Sequence, residues 1–414
     1  MAVLPTMKQM EYHMGLTVKI KPTNEQKRLI AVNDGAARSV YNHLVACDNE
    51  RYRLGKTADL IPADRKRIDY LRSVSHSSAD IKNALPYLYG KDVDEQAIAN
   101  AIQNHKAAWK NMKERHTGVP SFKRKGYEQS YQTNAHYYKD GGSNVRFESN
   151  KRVTLPKLGT MTYQGSQKII DMILKRDDIR IGTITIKRDA VGEYWASFAL
   201  GSMNPFHETL SKTGAMCGID LNLIELVNVS DGVSVPNRKF LRVSAEKLAK
   251  EQHKLSRKYE SAKKDKRDYR ICTSYQKQRR AVAYAHRKVA RQRDNYLHYI
   301  SKQLIENQDV VVAENLQVRN LVKNHKLARA ICDAGWRTLL TQLQYKAKEY
   351  GKTVILVPPQ YTSQTCNICG YVLKGDDRLT LADREWMCPS CHTHHHRDVN
   401  AATVILQRAL SLLA

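Results

Sequence analysis

Long apolar runs are missing from these 414 residues. No uncharged stretch reaches the ~18 residues that a spanning helix needs, and no signal-peptide h-region opens the chain. The expectation is a soluble prokaryotic cytoplasmic protein with no membrane partner. Phenylalanine is scarce, 5 against 22 tyrosines, so most aromatic surface carries a hydroxyl that can stack on bases or bond phosphates as well as pack. Acid is in deficit too: 41 Asp plus Glu face 68 Lys plus Arg, a net charge of +27. An imbalance of that sign and size points to a polyanionic partner, nucleic acid first. Disulfide patterning is absent as well. Of the eight cysteines, Cys47, Cys217, Cys272 and Cys332 are scattered singly, as reduced small core residues are in a cytosol.

The other four are not scattered. Cys366-Asn-Ile-Cys369 and Cys388-Pro-Ser-Cys391 form two C-x2-C pairs across a short variable loop, the ligand spacing of a zinc ribbon. Gly370 follows the first pair, where the knuckle needs a residue comfortable at positive φ. Seven residues beyond Cys391, Asp398 opens an Ala-rich apolar segment that reads as a helix.

Upstream, residues 15–21 alternate apolar and basic side chains as a half-exposed strand does, and Thr23 with Gln26 signals a capped helix running on to Leu44. A polar, Tyr-rich segment follows, then a second helix over 93–115. Pro120-Ser-Phe-Lys123-Arg124-Lys125-Gly is a basic loop suited to a phosphate backbone. Short β-patterned runs through residue 200 complete a β-barrel-like N-terminal part with a helical insertion, and 202–214 reads as a linker. Beyond it come a buried strand ending at Asp220, a meander expected to reach Lys239–Val243, and a helical hairpin over 246–302. That hairpin carries 18 Lys/Arg against 6 Asp/Glu, among them Arg279, Arg280 and Arg287 as nucleic-acid contacts. Asp309–Glu314 and Thr353–Val357 read as strands flanking an amphipathic helix over 334–350, the alternation of a parallel sheet.

Asp220, Glu314 and Asp398 each stand at the edge of a buried element. Two have an ordinary reading individually, Asp398 as a helix N-cap and Glu314 as a strand-end charge, whereas Asp220, flanked by Ile219 and Leu221, is harder to dismiss. Burying an unpaired carboxylate is costly, so together they call for a partner. Two strand acids and a helix-start acid are the arrangement of the ribonuclease-H-like fold, where such a trio holds two Mg²⁺ (or Mn²⁺) for phosphodiester hydrolysis. Hard carboxylate oxygens suit those ions, whereas thiolates select structural Zn²⁺. Arg397 is placed either to bond a scissile phosphate or to pair with an acid. The histidines 392 and 394–396 read as solvent- or phosphate-facing, since four cysteines already complete a zinc.

At these residues the chain resembles the TnpB family, transposon-encoded RNA-guided DNA endonucleases related to type V CRISPR effectors. The carrying motifs are Lys21-Pro-Thr-Asn-Glu-Gln26, Gly35–Asn42, Pro120–Lys125, Leu155–Gly159, Gly218-Ile-Asp-Leu221, Glu314-Asn-Leu316, Asp333-Ala-Gly-Trp336, Tyr361–Cys366 and Arg397–Ala402. The resemblance implies an α/β fold with β-barrel and helical parts. A wedge-like β-barrel would span 1–22 and 119–201, and a helical recognition domain 23–118. A RuvC-like nuclease domain would span 215–414, with the hairpin at 246–302 and the zinc ribbon at 361–395 inserted. It makes Asp220, Glu314 and Asp398 the Mg²⁺-binding catalytic acids and Cys366, Cys369, Cys388 and Cys391 the zinc ligands. It implies a guide RNA from the transposon end, a double-stranded DNA target and one protein per guide. It points to Tyr41, Asn42, Gln96, Asn100, Gln103 and Thr133 for reading a short target-adjacent motif. Asn222, His392 and His396 depart from the family pattern at a Gly, a knuckle Gly and an acid. A miniature CRISPR effector and a non-cutting guided repressor remain alternatives; a transposase fits the acids but not the ribbon placed just before the last one.

Overall fold

The alternating segment near the N-terminus forms a ten-residue strand, β1 (Tyr12–Lys21), and Pro22 ends it. In the computed structural model, which describes residues 5–56, 61–73, 77–138, 142–148, 151–380 and 382–413, the chain divides into two units, Met1–Asn204 and Pro205–Ala414. Thr23 caps α1 (Asn24–Leu54) through a reciprocal box: Gln26 N donates to Thr23 Oγ1 at 3.3 Å, and Thr23 N donates to Gln26 Oε1 at 2.9 Å. The helix runs ten residues past Leu44, because Arg51 and Arg53 in its last turn suit the carbonyl-rich end. What read as a polar segment is also helical: α2 (Pro62–Ser73) and α3 (Ser78–Ala84) each bury only one or two apolar residues, too faint a period to detect. Then α4 (Glu95–Arg115) packs on α1, ending at His116 in the left-handed region rather than at Gly118.

The rest of the first unit is one sheet. Its strands are β2 (Gln129–Asn134), β3 (Arg146–Glu148), β4 (Arg152–Leu155) and β5 (Gly159–Gln164). After α5 (Gln167–Lys175) come β6 (Arg180–Arg188) and β7 (Tyr194–Ser202). With β1 they stand in the order β2-β6-β7-β1-β5-β4-β3, antiparallel throughout. Among the described residues β2 and β3 share no ladder, but an antiparallel bridge between Tyr137 and Ser143, with Asn144 N donating to His136 O at 3.2 Å, links the segments that adjoin these two edge strands.

The second unit begins with an irregular segment held down by Asp309, whose carboxylate accepts from Thr213 N and Gly214 N. Its strands are β8 (Met216–Asp220), β9 (Glu225–Val229) and β10 (Ser234–Pro236). The meander stops there, correcting the strand expected at 239–243. Pro236 has no N–H to extend the ladder, and Leu241 N donates instead to Asp333, which holds 240–243 as a short helix, α6 (Phe240–Val243). The basic hairpin is α7 (Ala245–Lys264) packed on α8 (Thr273–Asn307). After β11 (Val310–Glu314) and α9 (Val318–Leu321) comes a further helix, α10 (His325–Ala334), and then, past Gly335 at φ 71°, the expected one as α11 (Trp336–Tyr350). Then come β12 (Thr353–Val357), the ribbon hairpin of β13 (Glu385–Met387) and β14 (His394–His396), and α12 (Arg397–Leu413). The central sheet runs β10-β9-β8-β11-β12, antiparallel on the β9–β10 side and parallel across β8, β11 and β12.

Strand parity sets the two faces. Cys217, Ile219, Val311 and Ala313 pack with Leu297, Leu339 and Leu343 of α8 and α11. Val312 and Val357 face the other way, onto Ile405 and Ala409 of α12. With both faces covered, β11 is apolar until its last residue.

Candidate active site

That last residue is Glu314. The parallel register pairs Met216 with Val310 through Ile219 with Ala313, so Asp220 and Glu314 come next, side by side at the ends of strands about 4.8 Å apart. Asp220 shares parity with Gly218, and Glu314 with Val312, so both carboxylates point to the α12 face. Gly218 lets that helix lie directly on β8: a methyl there would come within 2.0 Å of Ala402 O and 2.8 Å of Leu406 N. One turn before Ala402 is Asp398, which α12 thereby carries to the same corner.

The electrostatics record the convergence. Burial, then the Glu314 charge, then that of Asp398 push the Asp220 carboxyl up to about 7, while Asn222 counters. Burial also raises Glu314, and hydrogen bonding from Thr362 Oγ1 to Glu314 Oε1 partly offsets it. Asp398 is buried; its Oδ2 accepts from Arg384 Nη1 at 3.0 Å and from Asn222 Nδ2 at 3.2 Å. Three carboxyls at one corner, two of whose charges make the third costly to ionise, suit a divalent hard cation.

The ribbon comes together as its spacing predicts. All four cysteine Sγ atoms lie within 4.8 Å of one another. Cys366–Cys391 is 3.7 Å and Cys369–Cys388 3.6 Å, close to the ~3.8 Å edge of a tetrahedron with 2.3 Å Zn–S bonds. Both knuckles end in the left-handed region, Gly370 at φ 74° and His392 at φ 55°. The second therefore keeps its shape without glycine, at a strain of order 1 kcal/mol. The three acids form no group as tight as the cysteines among the described residues.

Sequence reasoning missed three residues here. Arg384 pairs with Asp398. Asn400 donates to Thr365 O at 2.7 Å and accepts from Asn367 N at 3.0 Å, clamping the first knuckle to the first turn of α12. Thr362 holds Glu314. Asn400 and Thr362 lie inside quoted motifs, but only the fold shows what they touch. Arg397 donates its Nη1 to Thr380 O at 2.7 Å, tying the ribbon loop down, and its charge eases the ionisation of Asp220. Of the histidines, 394 and 396 are exposed as expected; His395 is buried, a correction taken up below.

In the first unit the expected nucleic-acid residues separate. Thr133 is 0% exposed on the inner face of β2, and Tyr41 is 6% exposed, edge-on to His105. Neither presents a surface to a base, because parity on β2 and the α1–α4 packing turn them inward. Asn42 spends its amide on Lys123, accepting from its N–H at 2.7 Å and donating to its carbonyl at 2.9 Å. The Lys123 ammonium sits 4.0 Å from the Tyr41 ring centre. Gln96 accepts from Asn134, and Asn100 donates to Gln132 O. Gln103, Arg124 and Lys125 are exposed. A cleft of about 690 Å³ is lined by Asn100, Asn104, Lys123, Arg124, Gln132 and Lys187, among others. On α8, Arg280 is exposed, Arg279 donates to Gln276, and Arg287 stacks over Tyr284.

The fold defines a class. A Cas12f1 chain, solved by cryo-EM with sgRNA and target DNA, matches 95% of this chain and 98% of its own length at a TM-score of 0.52 and 12% identity. This chain thus has the fold of a compact Cas12f-like effector, of mixed α/β composition. Three family models also match: "Helix-turn-helix domain" of OrfB_IS605 over 10–57, "Probable transposase" OrfB_IS605 over 199–325, and "Cas12f1-like, TNB domain" over 336–405. The first stretch folds here as β1 and the single helix α1. A protein of Streptomyces pristinaespiralis described as an RNA-guided DNA endonuclease is 29% identical, covering 95% of this chain and 88% of that one. InsQ of Escherichia coli (strain K12), described in the same terms, is 28% identical over 96% and 92%. A TnpB-like protein of Acanthamoeba polyphaga mimivirus is 22% identical over 95% and 72%. The resemblance to TnpB is thereby borne out.

Proposed function

We propose that this chain is the RNA-guided DNA endonuclease of an insertion-sequence transposon. Its second unit would be a ribonuclease-H-like RuvC nuclease, for which the sheet order β10-β9-β8-β11-β12, with acids ending β8 and β11, is the supporting topology. The observation that carries the reading is the convergence of Asp220, Glu314 and Asp398 on one corner of the sheet. Asp220, Glu314 and Asp398 would hold Mg²⁺ or Mn²⁺, which would supply water activation and stabilisation of the leaving 3′-oxygen. Thr362 and Asn222 orient Glu314 and Asp398, and Arg384 compensates the Asp398 charge. The four cysteines hold a structural Zn²⁺ that fixes the approach to Asp398. The guide RNA would pair with one strand of a double-stranded DNA target beside a short adjacent motif, base pairing reading sequence while the basic protein grips backbone. Lys123, Arg124, Lys125, Gln103 and Arg280 are the exposed residues we assign to that grip, one protein per guide, in the cytoplasm. Among the described residues no helix is long and apolar enough to cross a membrane.

The test is Asp220→Ala. Cleavage should vanish while guided binding persists, and continued cutting would remove the assignment. Binding should weaken with salt by about 0.9 log unit per log salt for each duplex phosphate neutralised.

A miniature CRISPR effector is favoured by one observation, the 25% identity over half of this chain to a Cas12f1 of Syntrophomonas palmitatica. Sequencing the RNA that co-purifies with the protein separates the two: a transposon-end transcript supports the first reading, an array-derived guide the second.

A further inference from the structure

His395 is the middle residue of β14 and the buried one of its three histidines. Its ring lies against Trp386, centroids 4.8 Å apart, and its Nε2 stands 3.2 Å from Cys366 Sγ. Two residues earlier, the Thr393 hydroxyl is 3.3 Å from Cys391 Sγ. Two ribbon sulfurs are thus met by side chains of residues 393–395, the segment that runs into Asp398. The cysteine tetrahedron is complete without His395. A metal-bound thiolate has no proton to give, so a hydrogen bond between this pair requires the imidazole to donate.

We propose that His395 is a positioning residue that donates its Nε2–H to the metal-bound Cys366 thiolate and so locks the zinc ribbon to the strand that starts α12. Four thiolates around a divalent ion leave a net charge of −2, and a buried donor to sulfur offsets part of it. Cys366 is itself buried, which leaves little room for water to take that place. The same bond fixes β14, and with it the Asp398 end of α12, to the metal. The inference rests on the zinc-ribbon reading.

The experiment uses the full chain loaded with Co²⁺ in place of zinc. His395→Phe keeps a ring against Trp386 and removes the donor; His395→Gln returns an N–H. The wild type should hold one ion with the sulfur-to-metal absorption intensity of four thiolates. H395F should keep that intensity, shift the band to lower energy and release the ion to a chelator about 10–100-fold faster, the range typical of outer-shell partners. H395Q should recover part of both changes. A band and release rate in H395F equal to wild type would overturn the inference. So would three-thiolate intensity in the wild type, which would make His395 a ligand. No bound ion in the wild type would instead overturn the ribbon reading beneath it.

Discussion

Gly218 lies against the carbonyl oxygen of Ala402, with no space between β8 and α12 for even a methyl group. The contact sets how far Asp398 stands from Asp220, because both acids are fixed to these two backbones. Gly218→Ala must push α12 outward. The expected cost is at least about 1–3 kcal/mol of stability, the usual penalty of overpacking. Cleavage should fall further than the stability loss explains when assayed well below the melting temperature. Gly15→Ala, where the added methyl meets nothing within 4 Å, is the control and should be near neutral in both measurements.

Thr362 and Glu314 are the second coupled pair. Thr362→Val removes the hydroxyl that donates to Glu314 Oε1 and keeps the shape. A hydrogen bond to a charged group contributes about 1.5–3 kcal/mol, so the carboxylate loses its fixed orientation. The midpoint of the Mg²⁺ dependence of cleavage should rise by about tenfold or more, and Thr362→Ser should restore it. An unchanged Mg²⁺ midpoint in T362V would show that Glu314 is oriented without the hydroxyl.

Removing the ribbon's metal should act at a distance. Structural zinc contributes about 10–16 kcal/mol of binding free energy to the fold around it. Cys388→Ser should therefore lower cleavage strongly, although no acid is altered, and should loosen Asn367 and Thr365 from Asn400. Hydrogen exchange should report faster amide exchange in residues 365–370 and the first turn of α12, while the amides of β11 stay protected.

Asp309 and Lys352 supply the pH dependence. Lys352 is buried, and its ammonium bonds Asp309 and donates to Ser211 O at 2.7 Å. This bond, first, and the Thr213 and Gly214 N–H donors hold the Asp309 carboxyl well below the usual carboxylate range. Its folded pKa is depressed, so the stabilisation is present above the unfolded value near 3.9 and is lost as pH falls below it toward the folded one. Denaturant titrations should show Asp309→Asn less stable than wild type at pH 7, with the difference shrinking by pH 3. A constant difference would assign the effect to the hydrogen bonds alone.

Much of this was legible in the chain itself. Local chemistry specified the capping box at Thr23 and Gln26, the ribbon through the C-x2-C spacings, and β11 through its unbroken valines. Asp220, Glu314 and Asp398 were recognisable because three acids at the edges of buried apolar elements together have few reasons to be there. Misreadings fell where a distant contact overrode a local pattern. Residues 240–243 look like a strand until Asp333 captures Leu241 N. Thr133 and Tyr41 look like surface recognition residues until strand parity and helix packing bury them.

By itself the sequence determined which side chains are available: four thiols in paired spacing, three acids at the edges of apolar elements and a large excess of positive charge. Side-chain chemistry and short spacings are local properties, and they survive without a fold. What only the tertiary structure decided is which residues meet across 29 or more positions of chain. Asp220 sits beside Glu314 because of a parallel register. Asp398 joins them because a glycine on β8 lets a helix touch the strand, and His395 reaches Cys366 because the ribbon's two knuckles fold onto one hairpin. Such meetings depend on packing geometry, which no local pattern encodes.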